Sequence, residues 1–550
     1  METRFKLLSS LEKVFFELPE EWSELTSGTM LKNEIYSFQL AGWTEGHKSP
    51  KITCRLEVES PLKDYITVKK VDLVPVTTPT IHYKSDDDFI TTMPGLFPDP
   101  LQKVENGEIV LFDRQARAFW ITVEGKDLKP GTYPISLKVY MPAEEGEELV
   151  CDKTFTLEIL NAELPVMDTY NTGWFHGDCI AALHNVEIQS EEYLALVRKY
   201  MEVYAKFGHN TILTPIFTPP LDTAVGSERP TNQLIDVWVE NGQYRFGFDK
   251  LKQWLDMAHE AGIPYFEIAH LFTQWGAGHA PKIMATVDGE YKRIFGWETD
   301  ALSDEYKGFM DAMLPQLVAF LKAEGVFENC WFHISDEPHD EHAEQYEACQ
   351  KMVLPYVPKK QLLDALSSFA FYERGIVATP VVSCNHMRPF TDNGVFKQWT
   401  YYCVGQRANC ANRFMAMPAY RNRILGSQLY KNETPGFLQW GFNFWFTVRS
   451  TGVVNPYADT CAGGGFPAGD AFMVYPVDKD GDVVTSTRLY VFNEGLQDMR
   501  AMKLLESLTD RQTVEALLGD LDGFDTFPKS NAYILDLRQK VNALIREKLG

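Results

Sequence analysis

The fold of this chain is set by one stretch, Trp331-Phe332-His333-Ile334-Ser335-Asp336-Glu337-Pro338. Its apolar residues predict a short buried strand, and that strand ends in two adjacent acids, Asp336 and Glu337. Pro338 stops the strand because proline has no backbone N–H to donate to a neighbouring strand. The stretch therefore predicts a strand whose carboxyl end presents a pair of carboxylates.

The segments on both sides of this strand have helical spacing. Apolar residues recur three and four positions apart from Asp311 to Glu324 and again from Glu341 to Tyr356. A helix, a strand and a second helix indicate part of a parallel sheet, and barrel enzymes carry their chemistry at the carboxyl ends of such strands. The alternative is that one acid caps the following helix, although a cap needs only one carboxylate.

The chain has 550 residues, which is enough for several domains. Residues 1–162 alternate apolar and polar positions between turns such as Lys129-Pro130-Gly131-Thr132, a pattern that predicts an N-terminal β-sandwich. Residues 163–485 alternate strand-like and helical segments, which predicts a central (β/α)8 barrel of the TIM type. Residues 486–550 are mostly helical by spacing and predict a C-terminal helical region packed on the barrel.

Eight segments supply the predicted strands of the barrel. They are residues 168–176, 210–214, 265–270, 331–336, 361–366, 377–383, 398–404 and 437–445. The principal predicted helices are residues 191–207, 249–261, 303–324, 341–356 and 413–430. The last strand is rich in aromatic residues, and we expect it to line a pocket at the carboxyl ends of the strands.

Composition excludes several classes of partner. The net charge of −24 repels phosphate backbones, so no nucleic acid is expected, and no apolar run is long enough to span a membrane. The 9 cysteines are scattered without metal-binding spacing, which is typical of buried thiols in a reducing compartment. Charges interrupt Met1 to Glu20 every few residues, so no signal peptide is predicted and a cytoplasmic location is expected.

The motifs of several other enzyme classes do not occur in the sequence. Gly463 to Gly465 lack the phosphate-loop pattern, and neither GxSxG nor HExxH is found. Asp478 to Asp482 resemble the start of a calcium loop but lack the distal Glu, so they predict an acidic hairpin turn. His339 and His342 follow the acid pair on a polar helix start, where solvent exposure is the better prediction than metal binding.

The acid pair itself suits one form of glycoside hydrolysis. Two carboxylic groups usually flank the scissile bond, and adjacent residues on one strand end do this poorly. They fit a route in which the 2-acetamido carbonyl of the sugar attacks its own anomeric carbon. One acid then protonates the leaving group while the other orients the acetamido N–H, and mutual repulsion keeps the general acid protonated near neutral pH.

The strand end from Ser335 to Pro338 resembles the catalytic motif of glycoside hydrolase family 123, the β-N-acetylgalactosaminidases. Further stretches are similar to this family and to its broader superfamily of sandwich-plus-barrel proteins. They are residues 31–39, 436–445, 486–489 and 494–498. The resemblance implies an exo-acting, retaining enzyme that releases β-linked N-acetylgalactosamine from a small glycan or glycoconjugate. It implies Glu337 as the general acid/base, Asp336 as the acetamido-orienting residue, and neither a metal nor an organic cofactor.

The resemblance also implies a set of substrate-binding residues around the acid pair. They are Trp174, His176, His270, Tyr401, Trp440 and Asn443 at strand ends and Trp275 in the loop after the third strand. Two alternatives stay open from the sequence: a hydrolase of the same fold for another sugar, and a non-catalytic carbohydrate-binding protein. The oligomeric state also stays open, and the general frequency of two-fold assemblies favours a homodimer.

Overall fold

The computed structural model describes residues 2–17, 22–46, 49–81 and 85–549. The prediction about a signal peptide concerns Met1 to Glu20, and part of that segment lies outside the described residues. Within the described ranges, no helix is both long enough and apolar enough to cross a membrane.

The N-terminal region is rich in sheet, as predicted. Its strands are β1 (Glu2–Ser9), β2 (Ser27–Leu31), β3 (Ile35–Glu45), β4 (Lys51–Glu59), β5 (Ile66–Val76), β6 (Gly95–Lys103), β7 (Glu108–Phe112), β8 (Arg117–Glu124), β9 (Gly131–Pro142) and β10 (Glu147–Leu160).

The central region alternates strands and helices. It consists of β11 (Tyr170–Gly173), α1 (Gly177–His184), α2 (Glu191–Lys206), β12 (Thr211–Thr214), β13 (Asp236–Glu240), β14 (Gln243–Gly247), α3 (Asp249–Ala261), β15 (Tyr265–Ile268), β16 (Ile283–Val287), β17 (Glu290–Phe295), α4 (Asp304–Ala323), β18 (Cys330–Phe332), α5 (Ala343–Val353), β19 (Asp364–Ala365), α6 (Phe369–Glu373), β20 (Pro380–Ser383), α7 (Arg388–Thr391), β21 (Trp399–Tyr401), α8 (Tyr420–Lys431) and β22 (Gly436–Gln439).

The C-terminal end is helical after one hairpin. Its elements are β23 (Val474–Val477), β24 (Val483–Ser486), α9 (Thr487–Leu508), α10 (Arg511–Leu518) and α11 (Asn531–Leu549). The predicted helical tail from residue 486 is therefore present.

Two sheets of the N-terminal region share one apolar core. The first has the order β1-β3-β8-β5-β6-β24-β23, and the second has the order β2-β10-β9-β4-β7. Phe38 of the first sheet stacks on Phe155 of the second with ring centroids 4.0 Å apart. Both rings are fully buried, as expected where alternate side chains of two facing sheets interdigitate.

The sheet that positions the pocket contains eight parallel strands in the order β18-β15-β12-β11-β22-β21-β20-β19. Its two end strands approach each other, since Phe332 forms a parallel bridge with Leu362 and the Leu363 N–H donates to the Phe332 carbonyl at 2.9 Å. Each strand is followed by at least one helix. The parallel sheet of the predicted barrel is thus present, and full closure of a (β/α)8 barrel stays a prediction.

The strands are shorter than the sequence pattern indicates. The predicted last strand runs to residue 445, whereas β22 ends at Gln439 and the remaining residues turn above the sheet. The helices α2, α3 and α4 follow the prediction more closely, whereas the helix predicted from residue 413 begins only at Tyr420, where no side chain caps it. Ser190 caps α2 by accepting a hydrogen bond from the Tyr193 N–H, and Ser303 caps α4 by accepting one from the Tyr306 N–H.

Two strands near residue 480 belong to the N-terminal sheet, which the sequence analysis did not predict. β23 and β24 form a hairpin, and β24 pairs with β6. The turn between them is the acidic segment Asp478–Asp482, and it forms the predicted hairpin turn. Lys103 places its ammonium group 3.1 Å from Asp480 and 2.5 Å from Asp482, so a lysine offsets part of the negative charge of this turn.

The long α9 is buried along most of its length and packs against α8. The helices cross at two glycines: a Cβ on Gly426 would lie 1.7 Å from the carbonyl oxygen of Gly495. Beside this crossing the buried Arg423 binds Glu494 at 2.8 Å and Asp498 at 2.7 Å. Close backbone contact and paired charges together fix α9 onto α8.

Candidate active site

A cleft of about 710 Å³ opens at the carboxyl ends of the parallel strands. Side chains that follow β11, β12, β15, β18, β21 and β22 meet there, together with Ala365 at the end of β19. The lining residues are Trp174, His176, Leu221, Asp222, Gln274, Trp275, Asp336, Glu337, Ala365, Tyr401, Cys403, Val404, Leu438, Trp440, Phe444 and Phe466. The cleft thus holds both members of the acid pair and five of the seven other predicted site residues.

The acid pair lies on irregular backbone just beyond β18. Glu337 has a φ of 44°, in the left-handed region that a non-glycine residue rarely adopts. Its N–H donates to the carbonyl of Ala365 at 3.1 Å, which ties the turn to the neighbouring strand. Strained backbone of this kind is concentrated at functional sites, where the surrounding structure holds it in place.

The loop after β15 is bonded to the acid pair. The Trp275 N–H donates to the Asp336 carbonyl at 2.8 Å, and Trp275 itself has a φ of 57°. Gly276 next to it has a φ of 120°, and a Cβ there would lie 2.8 Å from the ring of His342. His342 is therefore packed against this loop and only partly exposed, while His339 is exposed. Trp275, with 44% of its surface exposed, stands at the mouth of the cleft.

The carboxyl of Asp336 is hard to ionise. Burial raises its pKa well above the usual range, and the neighbouring charge of Glu337 adds to the effect. Asp222 and Asp364 raise this pKa further, whereas His333 lowers it.

Tyr401 contacts the second acid directly. Its hydroxyl donates to Glu337 Oε1 at 2.7 Å, and only 6% of the tyrosine is exposed. Burial and the charge of Glu337 raise the pKa of Tyr401 well above its usual range, so the hydroxyl keeps its proton. Tyr401 is thus a fixed neutral donor to one oxygen of Glu337.

Two tryptophans form walls of the cleft, and a buried carboxylate holds each indole. Trp174 Nε1 donates to Glu267 Oε2 at 2.8 Å, and Trp440 Nε1 donates to Asp470 Oδ2 at 3.2 Å. Burial raises the pKa of Asp470 to about 7. With both N–H groups satisfied below, the partly exposed Trp440 is available to pack on a sugar ring, whereas only 2% of Trp174 is exposed.

His176 lines the cleft as a neutral imidazole. Its Nδ1 accepts from the buried guanidinium of Arg229 at 3.1 Å, and its Nε2 donates to the Trp440 carbonyl at 2.9 Å. Burial and the charge of Arg229 lower its pKa to about 3. Arg229 is itself paired with Asp178 at 2.8 Å, which balances the charge.

Two predicted site residues lie outside the lining. Asn443 is fully buried and clamps the backbone of His176: its Oδ1 accepts from the His176 N–H at 2.8 Å, and its Nδ2 donates to the His176 carbonyl at 3.0 Å. His270 is also buried and stacks on His333 with ring centroids 4.3 Å apart. Both residues support the cleft from behind.

Asp222 is a third carboxylate in the cleft that the sequence analysis missed. Its backbone has a φ of 40°, its Oδ2 accepts from the Arg449 N–H at 2.8 Å, and its N–H donates to Gln274 Oε1 at 2.7 Å. Burial raises its pKa. The local signal, an acid after Pro219-Pro220 in a long loop, is common in proteins and does not single out a site.

The electrostatics of the cleft restrict its ligands. Three carboxylates line it, and among the described lining residues there is neither Lys nor Arg. Such a surface repels anionic ligands and favours neutral or cationic ones. Aromatic walls with a few carboxylates match an uncharged sugar, whose hydroxyls donate to the oxygens and whose C–H faces pack on the rings.

One group of described residues has the composition of a metal site: His270, His333 and Asp364 place potential ligand atoms within 4.8 Å of one another. The geometry does not suit a metal. The two imidazole planes are stacked at 16°, so their in-plane lone pairs do not converge on one point. His333 Nδ1 already faces Asp364 Oδ1 at 3.2 Å.

Comparison with known proteins finds a matching family and a solved structure that is similar over the whole chain. A family model described as "Glycoside hydrolase 123, catalytic domain" matches residues 174–505. A solved family 123 glycoside hydrolase from Clostridium perfringens, described for glycolipid glycan hydrolysis, is similar with a TM-score of 0.74 and 16% identity, over 100% of this chain and 98% of the other.

A putative β-galactosidase from Bacteroides fragilis gives a TM-score of only 0.31 at 10% identity, over 88% of this chain and 60% of the other, and supports no argument. No curated protein sequence matches the chain significantly.

Proposed function

This chain belongs to glycoside hydrolase family 123, and from that premise we propose that it is an exo-acting, retaining enzyme that releases β-linked N-acetylgalactosamine. The observation that supports this proposal most is the adjacent pair Asp336 and Glu337 in a cleft whose described lining residues include neither Lys nor Arg. Two neighbouring carboxyls suit a reaction in which the substrate supplies its own nucleophile.

In the proposed first step, Glu337 donates its proton to the glycosidic oxygen as the C1–O bond breaks. The 2-acetamido carbonyl oxygen attacks C1 from the opposite face and forms a cyclic oxazolinium ion. Asp336 accepts a hydrogen bond from the acetamido N–H and balances the positive charge of this ion. In the second step, Glu337 takes a proton from water, the water oxygen attacks C1, and the acetamido group is restored with retained configuration.

The pKa of Asp336 gives substrate binding a further role. In the empty cleft the protonated form of Asp336 is favoured, because burial raises its pKa. An acetamido N–H that donates to Asp336 favours the carboxylate form instead. Binding of the correct sugar thereby prepares Asp336 to balance the positive charge of the oxazolinium ion.

Trp174, Trp440 and Tyr401 supply walls for the sugar in this proposal. The two indole faces pack on sugar C–H groups or on the acetamido methyl, while Tyr401 holds Glu337. His176 offers a neutral imidazole, and Trp275 at the mouth lies where a leaving group would extend. Asn443 and His270 act indirectly, through His176 and the floor of the cleft.

Hydrolysis of four aryl β-glycosides tests the proposal. The sugars are N-acetylgalactosamine, N-acetylglucosamine, galactose and glucose, and the enzymes are the wild type, Glu337→Gln, Asp336→Asn and the exposed control Glu341→Gln. We expect turnover of the N-acetylgalactosaminide alone, lost in both cleft variants and kept in the control. Hydrolysis of galactose or glucose derivatives by the wild type would contradict participation by an acetamido group.

Four wider proposals accompany this function. We propose that the parallel sheet closes as a (β/α)8 barrel behind an N-terminal β-sandwich, and that residues 1–162, 163–485 and 486–550 are the domains; limited proteolysis tests these boundaries. The cytoplasmic location agrees with nine unpaired cysteines and is tested by cell fractionation. A homodimer is tested by light scattering.

A further inference from the structure

Beneath the cleft lies a chain of buried charged residues that the proposed reaction does not use. Glu267 of β15, His333 just after β18 and Asp364 of β19 are each 0% exposed and come from neighbouring strands. His333 Nδ1 lies 3.2 Å from Asp364 Oδ1, and His333 Nε2 lies 3.5 Å from Glu267 Oε2. We call these three residues the buried triad.

The environment of His333 favours its charged form. His333 Nδ1 is hydrogen-bonded to Asp364, whereas Nε2 makes no hydrogen bond within the described structure and lies 3.5 Å from Glu267 Oε2. A neutral imidazole could donate to only one of these two carboxyl groups. Asp364 is fixed as an acceptor, because it also receives the Tyr346 hydroxyl at 2.5 Å and the Ile334 N–H at 3.0 Å. Although burial opposes the charge, the two carboxylates raise the pKa of His333 to about 9.

The other groups packed around the imidazole do not compete for this proton. His270 stacks on the His333 ring, both of its nitrogens lack partners within the described structure, and burial lowers its pKa well below the usual range. Trp174 meets the His333 ring edge to face at 6.0 Å. Burial raises the pKa of Asp364, although its hydrogen bonds with His333, Tyr346 and the Ile334 N–H act in the opposite direction.

The triad reaches the cleft at two points. Glu267 Oε2, which faces His333, is also the acceptor for the Trp174 indole in the wall. His333 stands three residues before Asp336 on the same strand end, and its positive charge lowers the pKa of Asp336. A change in the protonation of His333 would thus alter both a wall of the cleft and the acid pair.

We propose that His333 is a positioning residue held as an imidazolium at neutral pH between Glu267 and Asp364, and that this triad fixes Trp174 and sets the proton affinity of the acid pair. The effect on the acid pair rests on the function proposed above, whereas the charge state of His333 does not. The two parts therefore have separate tests.

The charge state is measured by NMR of the full chain labelled with ¹⁵N-histidine. Of the 12 histidines, those with an ordinary pKa near 6.5 are neutral at pH 8. We expect one histidine to keep both ring nitrogens protonated at pH 8 and to lose a proton near pH 9. In Glu267→Gln, which keeps an oxygen for the Trp174 N–H, this midpoint should fall by about 1 to 3 pH units.

A spectrum at pH 8 without a doubly protonated histidine would overturn the proposal. So would one equivalent of tightly bound zinc in the purified protein, because a zinc ligand must be neutral at the coordinating nitrogen. Both results are obtained without any substrate, so they are independent of whether the chain hydrolyses N-acetylgalactosaminides.

The effect on the acid pair is read from the pH dependence of kcat/KM. His333→Gln removes the positive charge that lowers the pKa of Asp336. The acidic limb of the profile, where kcat/KM falls as the pH is lowered, should therefore move to higher pH by about one unit. The double variant Glu267→Gln/His333→Gln removes an acid together with the imidazole and should move the limb back. Equal loss of activity at every pH in both variants would mean that the triad is merely structural and would refute this part.

Discussion

Removal of one hydroxyl, by Tyr401→Phe, isolates the contact that holds Glu337. The hydroxyl donates to Glu337 Oε1 at 2.7 Å inside a buried wall, and hydrogen bonds to charged groups contribute about 1.5 to 3 kcal/mol. In the proposed first step Glu337 gains negative charge as it gives up its proton, so this donor stabilises the transition state more than the ground state. We expect kcat to fall roughly 10- to 150-fold, with a small change in KM.

The assay compares aryl N-acetylgalactosaminides with good and poor leaving groups. Proton donation matters most for poor leaving groups, so the loss should be larger for them. The matched control is Tyr402→Phe: the neighbouring tyrosine is equally buried, lies outside the cleft lining, and its hydroxyl has no partner among the described residues. Equal rate losses in the two variants, or a Tyr401→Phe loss independent of the leaving group, would refute the reasoning.

Three further predictions follow from the packing and the charges. Gly426→Ala should destabilise the fold by roughly 1 to 3 kcal/mol, because its Cβ would clash with the backbone of Gly495. The control Gly308→Ala, on the exposed face of α4, should stabilise the fold by roughly 0.5 to 1 kcal/mol. Urea denaturation measures the free energy of unfolding of both variants. Asp222→Asn removes a charge that raises the pKa of Asp336, so the acidic limb of kcat/KM should move to lower pH, and an unmoved limb would contradict this. His333 has a pKa of about 9 in the folded state, so its protonation contributes roughly 3 kcal/mol to the free energy of unfolding below pH 6.5, and this contribution is lost as the pH rises through 9. In urea denaturation, the free energy of unfolding of the wild type should therefore fall more between pH 7 and 10 than that of Glu267→Gln.

The sequence predicted those parts of the fold that depend on local patterns. The strand before Asp336 and Glu337 and the helices α2 to α4 were found because apolar spacing acts within a few positions, and α2 and α4 also have a capping serine. The placement of β23 and β24 beside β6 was missed, since pairing across nearly 400 residues leaves no local signal. The prediction that the C-terminal region is helical is confirmed by α9, α10 and α11.

A position near the end of a predicted strand identified several, but not all, of the residues that line the cleft. It brought Trp174, His176, Tyr401 and Trp440 to the cleft, because parallel strands end at one edge of the sheet. It failed for His270 because successive side chains at a strand end point in different directions. The buried triad had a signal that was overlooked, namely the acids Glu267 and Asp364 within otherwise apolar strands.

Participation of the substrate's acetamido group is the central claim, and fluorinated substrates test it most directly. Each fluorine on the acetyl methyl withdraws electrons from the carbonyl oxygen and weakens it as a nucleophile, while the sugar and the leaving group stay the same. For the acetyl, monofluoroacetyl, difluoroacetyl and trifluoroacetyl galactosaminides we expect kcat/KM to fall steeply with every added fluorine. Equal rates across the four substrates would contradict the proposed mechanism, because they would mean that the carbonyl oxygen does not attack C1.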